Sequence, residues 1–295
     1  MNYRDSRRNC GPETATPIYV LKSPFNEKEE FLLNDGKRSD DRAPLEVRKM
    51  YFGVSNISQA KGSSYVELGS TKVVCGVYGP KEMAPSSIFK STGQVLCEVK
   101  VAPFSSYVRR SPVPDRQVKE LSMQVKDALE AAIILEEYPK AQIDVFLTVV
   151  EDSGGVLAAC VTAASLALCD ADIRMYDIVV AASVAWYNDR IYLDPSIEEE
   201  ECIARAGERL ATSKSSASST EDELEGSNGS VTVALMPLYA NGQVATMVMS
   251  GSVTAAKLQD GLDAALETCR KVYAIAKQVL IQRVSEAKLP EKLED

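Results

Sequence analysis

The stretch from Gln142 to Asp172, QIDVFLTVVEDSGGVLAACVTAASLALCDAD, constrains this chain more than any other. Ile143 to Val150 is rich in Val, Ile, Phe and Thr, which suits a pleated, mostly buried strand. Asp152-Ser153-Gly154-Gly155 breaks the run with two glycines that can take positive φ. From Val156 to Leu168 the chain is Ala-rich and almost free of charge, which predicts a helix apolar nearly all round and hence buried. The unit is therefore strand, glycine turn, buried helix. A helix opened by glycines offers N–H groups without partners and with partial positive charge, so the turn is a candidate anion site.

The elements on either side are predicted from periodicity. Val47 to Ile57 reads as a first strand. Ser63–Leu68 and Thr71–Val77, joined at Gly69-Ser70, form a hairpin with one buried side, ended by Gly79-Pro80. Gly93–Pro103 alternates, with Val95, Cys97, Val99 and Val101 on one face. Gln117–Leu135 has Leu121, Val125, Leu129 and Ala132 at helical spacing. Tyr176–Trp186 reads as a buried strand, Asn188-Asp189 as a turn, and Arg190–Leu193 as a short returning strand. Val231–Leu238 and Val244–Met249 are two more, turning at Asn241-Gly242. Val253 to about Ser285 is a long helix with Leu258, Leu262, Leu266, Cys269, Tyr273, Ala276 and Leu280 on one stripe. This order predicts an α+β fold, one domain over residues 37–286, with mixed sheets packed with helices. Residues 1–36 read as a polar extension and 287–295 as a charged tail. The Ser/Glu-rich stretch 211–230 lacks periodicity and reads as a disordered insertion.

Composition narrows the function. The formal net charge is −9 and the pI about 4.9, which argues against a stand-alone nucleic-acid binder. There is no histidine, and none of the 7 cysteines forms a CxxC pair, so no zinc site of the usual Cys/His kind is expected. No bound metal or cofactor is expected either. The N-terminal residues lack an apolar signal core, no membrane span is expected, and the odd cysteine count suits a reducing compartment.

The order and the motifs together resemble the RNase PH family, which has the ribosomal protein S5 domain 2-like fold. The hairpin SSYVELGSTKVVCGVYGP, the strand GQVLCEVKVAPF, the helix DRQVKELSMQVKDALEAAI and the central strand-turn-helix each match in order, over about Lys37 to Val284. Within the family, APF, YPKAQIDV, MYDIVV, LDPSIEEEE and VTVALMP resemble the mRNA-transport-regulator branch, one of six RNase PH-like chains in the eukaryotic RNA exosome core ring. The resemblance implies a non-catalytic ring subunit that supports 3′–5′ RNA processing and decay. It would pair with other RNase PH-like chains in a hexameric ring, support S1/KH cap proteins, and guide single-stranded RNA through the central channel toward an associated exoribonuclease. It implies residence in nucleus, nucleolus and cytoplasm. The alternative is an active phosphate-dependent 3′–5′ exoribonuclease.

Three sets of residues bear on that choice. Catalytic relatives follow the glycine pair with Thr-Arg, which holds phosphate; here Gly154-Gly155 is followed by Val156-Leu157, so the guanidinium fork is missing while the N–H groups remain free. Catalytic relatives also carry two aspartates six apart for acid catalysis or Mg²⁺; by the resemblance these positions fall on Asp194 and Glu200. The bland expectation is that Asp194-Pro195 shapes a turn and the glutamates 198–201 sit on a solvated face. Finally, Arg109, Arg110 and Arg116 lie in the loop FSSYVRRSPVPDRQ, where relatives place basic side chains toward RNA; Tyr107 adds a candidate stacking ring.

Overall fold

The computed structural model describes residues 38, 40, 42–83, 92–106, 109–187, 190–204 and 228–288. The expected extension 1–36, Tyr107, the turn at Asn188-Asp189 and most of the 211–230 insertion lie outside the described residues. Nine strands are described: β1 Met50–Val54, β2 Gly62–Leu68, β3 Thr71–Glu82, β4 Gln94–Val101, β5 Ala141–Glu151, β6 Val180–Tyr187, β7 Arg190–Leu193, β8 Asn228–Met236 and β9 Gln243–Ser252. The helices are α1 Arg116–Ala132, α2 Val156–Asp170, α3 (197–204) and α4 Ala255–Lys288.

The strands form two sheets. The first has the order β1-β2-β3-β5-β4, and the second β7-β6-β8-β9. The first is mixed because β4 pairs parallel to β5 while its other pairs are antiparallel. The second is wholly antiparallel. Helices α1 and α2 pack between the sheets, α1 against β4 and β9 and α2 against β2, β3 and β6. Every residue of α2 from Ala158 to Leu168 is buried, as its uninterrupted apolar composition requires. Its few polar side chains serve β6 and the residue before it: Val179 N–H donates to Ser165 Oγ at 2.8 Å, and Ala181 N–H to Thr162 Oγ1 at 3.3 Å. Helix α4 lies across the other face of the second sheet, where Val184, Trp186, Val231, Val233 and Ala265 form a separate apolar cluster. Gly261 permits that approach, since a Cβ there would stand 2.1 Å from Trp186 Cζ2.

Four expectations need correction. The hairpin does not end at Gly79-Pro80: β3 shifts register between Tyr78 and Lys81 and pairs on through Glu82 with Ala141. The strand expected from Tyr176 starts only at Val180. The Asp177 carboxylate accepts the N–H of Leu238 at 2.7 Å and of Tyr239 at 3.2 Å, tying this segment to the β8–β9 connection instead of to a ladder. The expected insertion does not reach Ser230, because β8 begins at Asn228, whose side chain is buried. The last helix, finally, runs through residue 287 to Lys288, into the expected tail.

Candidate functional site

The glycine turn sits where the sequence placed it, between β5 and α2. Gly154 has φ 95° and Gly155 φ 66°, the region that favours glycine. Space demands glycine as well: a Cβ on Gly154 would lie 2.7 Å from Ile197 N and Pro195 O. The chain leaving β7 therefore presses directly on the turn.

That neighbouring segment carries both acidic candidates. Asp194 is buried and forms a two-point pair with Arg48, Nη2 to Oδ1 at 2.5 Å and Nε to Oδ2 at 2.8 Å. Arg48 also donates to Ser153 O at 2.9 Å and Gly154 O at 3.1 Å. One guanidinium thus clamps the glycine turn to the end of β7. Beside it, Arg38 donates Nε to Glu199 Oε1 at 2.7 Å and Nη2 to Glu199 Oε2 at 2.5 Å. Glu199 Oε2 in turn accepts the Ser196 N–H at 2.9 Å, the return half of a capping box that starts α3.

Glu200 points into the glycine turn. Its Oε1 accepts the Gly155 N–H at 2.9 Å. The other N–H groups of the turn are also taken: Ser153 donates to Thr71 Oγ1 at 3.2 Å and Gly154 to Asp152 Oδ1 at 3.3 Å. The expectation of free N–H groups is therefore overturned at Gly154 and Gly155, where this chain's own side chains supply the acceptors. The expectation of solvated glutamates is overturned too, since Glu199 is buried and Glu200 half-buried. Capping geometry is the reason: α3 turns these two carboxylates inward onto Arg38 and the α2 N-terminus. Burial pushes the Glu200 carboxyl up to about 7, with the Asp152 and Asp194 carboxylates adding to the rise while the Gly155 N–H and Arg48 oppose it.

A cleft of about 860 Å³ opens beside the turn. Gly155, Val156 and Leu157 form one wall, Glu200 and Ile203 another, and the hydroxyl-rich face of β6, β8 and β9 the floor. Leu157 packs against the main core and offers the cleft neither charge nor donor. Arg110 lines the rim, donating to Ser106 Oγ at 3.1 Å, with Asp152 Oδ2 at 3.4 Å. Arg109 and Arg116 are exposed and do not line it. Among the described residues, no group of three or more histidine, cysteine or carboxylate side chains is placed to hold a metal ion.

Arg48 and Arg38 are absent from the sequence-derived candidates, because their partners lie 146 and 161 residues away. The Ser196-Ile197-Glu198-Glu199 capping signature was the one local signal pointing to an inward-facing acidic segment.

Two sheets enclosing a buried helix that starts at a glycine turn, with an acidic segment folded against that turn, define an RNase PH-type domain. Residues 46–174 match domain 1 of the 3′ exoribonuclease family, RNase_PH, and the chain belongs to this family. It is 32% identical to human exosome complex component MTR3 over 302 residues, covering 94% of this chain and 95% of the relative. It is also 32% identical over 256 residues to Methanopyrus kandleri exosome complex component Rrp41, covering 86% and 96%. Among solved structures, rice Rrp46 superposes with a TM-score of 0.66 at 20% identity, covering 82% of this chain and all of that one. A chain of the Archaeoglobus fulgidus exosome with RNA bound to the active site gives 0.66 at 21%, covering 86% and 98%.

Proposed function

We propose that this chain is a non-catalytic RNase PH-like subunit of the RNA exosome core ring. It forms the ring with other RNase PH-like chains and supports 3′–5′ RNA processing and degradation. The near full-length similarity to MTR3 supports ring membership. One observation carries the non-catalytic part: Glu200 accepts the Gly155 N–H at the turn where phosphate would have to bind. Leu157 brings no guanidinium to that place. A phosphate entering the turn would meet a carboxylate and find no fork of donors to hold it. Asp194, spent on Arg48, is equally poorly placed to move protons.

On this reading the chain supports S1/KH cap proteins and helps pass single-stranded RNA along the channel to an associated exoribonuclease, in nucleus, nucleolus and cytoplasm. Arg109, Arg110 and Arg116 supply backbone contacts that position the strand without reading its bases. The test has two parts. The tagged chain is purified gently and its native mass and partners determined; a stable assembly with other RNase PH-like chains and S1/KH proteins is expected, and a homo-hexamer or monomer refutes ring membership. The purified chain is then incubated with RNA and inorganic phosphate. No nucleoside diphosphate should appear, and its release would refute the non-catalytic assignment.

A further inference from the structure

Phe104 is 71% exposed, the highest fraction of any large apolar side chain among the described residues. It lies on the short segment that leaves β4 toward the arginine loop. The backbone that carries it is held from several sides. Ala102 N–H donates to Val149 O at 3.0 Å, Ser105 N–H to Ala102 O at 2.9 Å, and Asp152 N–H to Ser105 O at 2.9 Å. Arg110 N–H donates to Pro103 O at 3.0 Å, so the residue before Phe104 is bonded directly to the arginine loop. The next residue, Ser105, is buried. The ring therefore projects from a fixed backbone and contributes little to the core.

The segment that follows it carries Ser105, Ser106, Arg109 and Arg110. Arg110 N–H reaches the residue preceding the ring, and its guanidinium turns to Ser106 and Asp152. Arg109 is exposed and Ser106 half-buried. Val113, farther along the same loop, is exposed as well, at 67%. A held aromatic ring on a segment that carries two arginines matches a platform for single-stranded nucleic acid, where bases stack and cations track the phosphates.

We infer that Phe104 is a base-stacking platform for single-stranded RNA, held beside Arg109 and Arg110; this rests on the ring-subunit reading above. Stacking needs a base and adds no charge, so its loss differs from the loss of an arginine in both substrate dependence and salt dependence. The experiment uses the reconstituted ring, checked by native mass, with labelled oligo-A and an abasic strand of equal length. Phe104→Ala should assemble normally and bind oligo-A about tenfold more weakly, within the roughly 5- to 150-fold span of base–aromatic stacking. It should bind the abasic strand like the unaltered ring and keep the same salt slope. Phe104→Trp should retain affinity, and its emission should be quenched by oligo-A, since the only native tryptophan, Trp186, is fully buried. Unchanged oligo-A affinity, or an equal loss on the abasic strand, overturns the inference. So does a Phe104→Ala chain that keeps its circular dichroism but no longer assembles, which makes Phe104 a protein contact. A ring that forms and binds RNA while ignoring Phe104 removes this inference alone; an unaltered chain that enters no ring removes the functional reading with it.

Discussion

Glu200 should give this chain an unusual dependence of stability on pH. Its carboxyl titrates at about 7 in the folded protein against an ordinary 4.5. The folded state therefore binds the proton more tightly than the unfolded state, and folding takes up a proton between those two values. Stability falls as pH rises through that window, and the loss is complete above about pH 7. Each pH unit between the values is worth about 1.4 kcal/mol, so the whole effect is about 3 kcal/mol. The window is unusually clear, because the chain contains no histidine. Urea unfolding of the native chain and of Glu200→Gln at pH 5 and pH 7.5 checks this. The amide of the variant keeps an oxygen for the Gly155 N–H and never ionises, so the variant should gain on the native chain by about 2–3 kcal/mol between the two pH values. Parallel curves, or a native chain that gains relative to the variant as pH rises, refute the placement of Glu200 against the turn.

Three further outcomes follow from the same structure. Arg48→Met strands the buried Asp194 carboxylate and should cost about 3–5 kcal/mol in the same assay, with much of the loss recovered in Arg48→Met/Asp194→Leu. Gly261→Ala pushes a methyl into Trp186, whose ring atom Cζ2 stands 2.1 Å from the built Cβ. It should cost about 1–3 kcal/mol and shift Trp186 fluorescence in the folded state. In the assembled ring, Arg109→Ala with Arg110→Ala should weaken RNA binding and flatten its salt dependence by about 0.7 per lost phosphate contact, read from titrations at several salt concentrations. An unchanged slope would refute phosphate contact by these two side chains.

Local pattern alone determined a good deal of this protein. Val, Ile and Phe in Ile143–Val150 are compatible with little but a buried strand, and the charge-free run Val156–Leu168 with little but a buried helix, so β5, the turn and α2 were legible. Period-two alternation likewise exposed the β2–β3 hairpin and β4. The missing guanidinium at Leu157 was also a matter of reading one position. What occupies the turn was not. Pairing of Arg48 with Asp194 and of Gly155 with Glu200 joins segments 146 and 45 residues apart, and no period carries information over that distance. The glutamates after Pro195 look solvated because charge runs usually are. Only the tertiary structure turns Glu199 onto Arg38 and Glu200 onto the start of α2. Buried charges must find partners, and the partners are fixed by how the two sheets close on the helix between them.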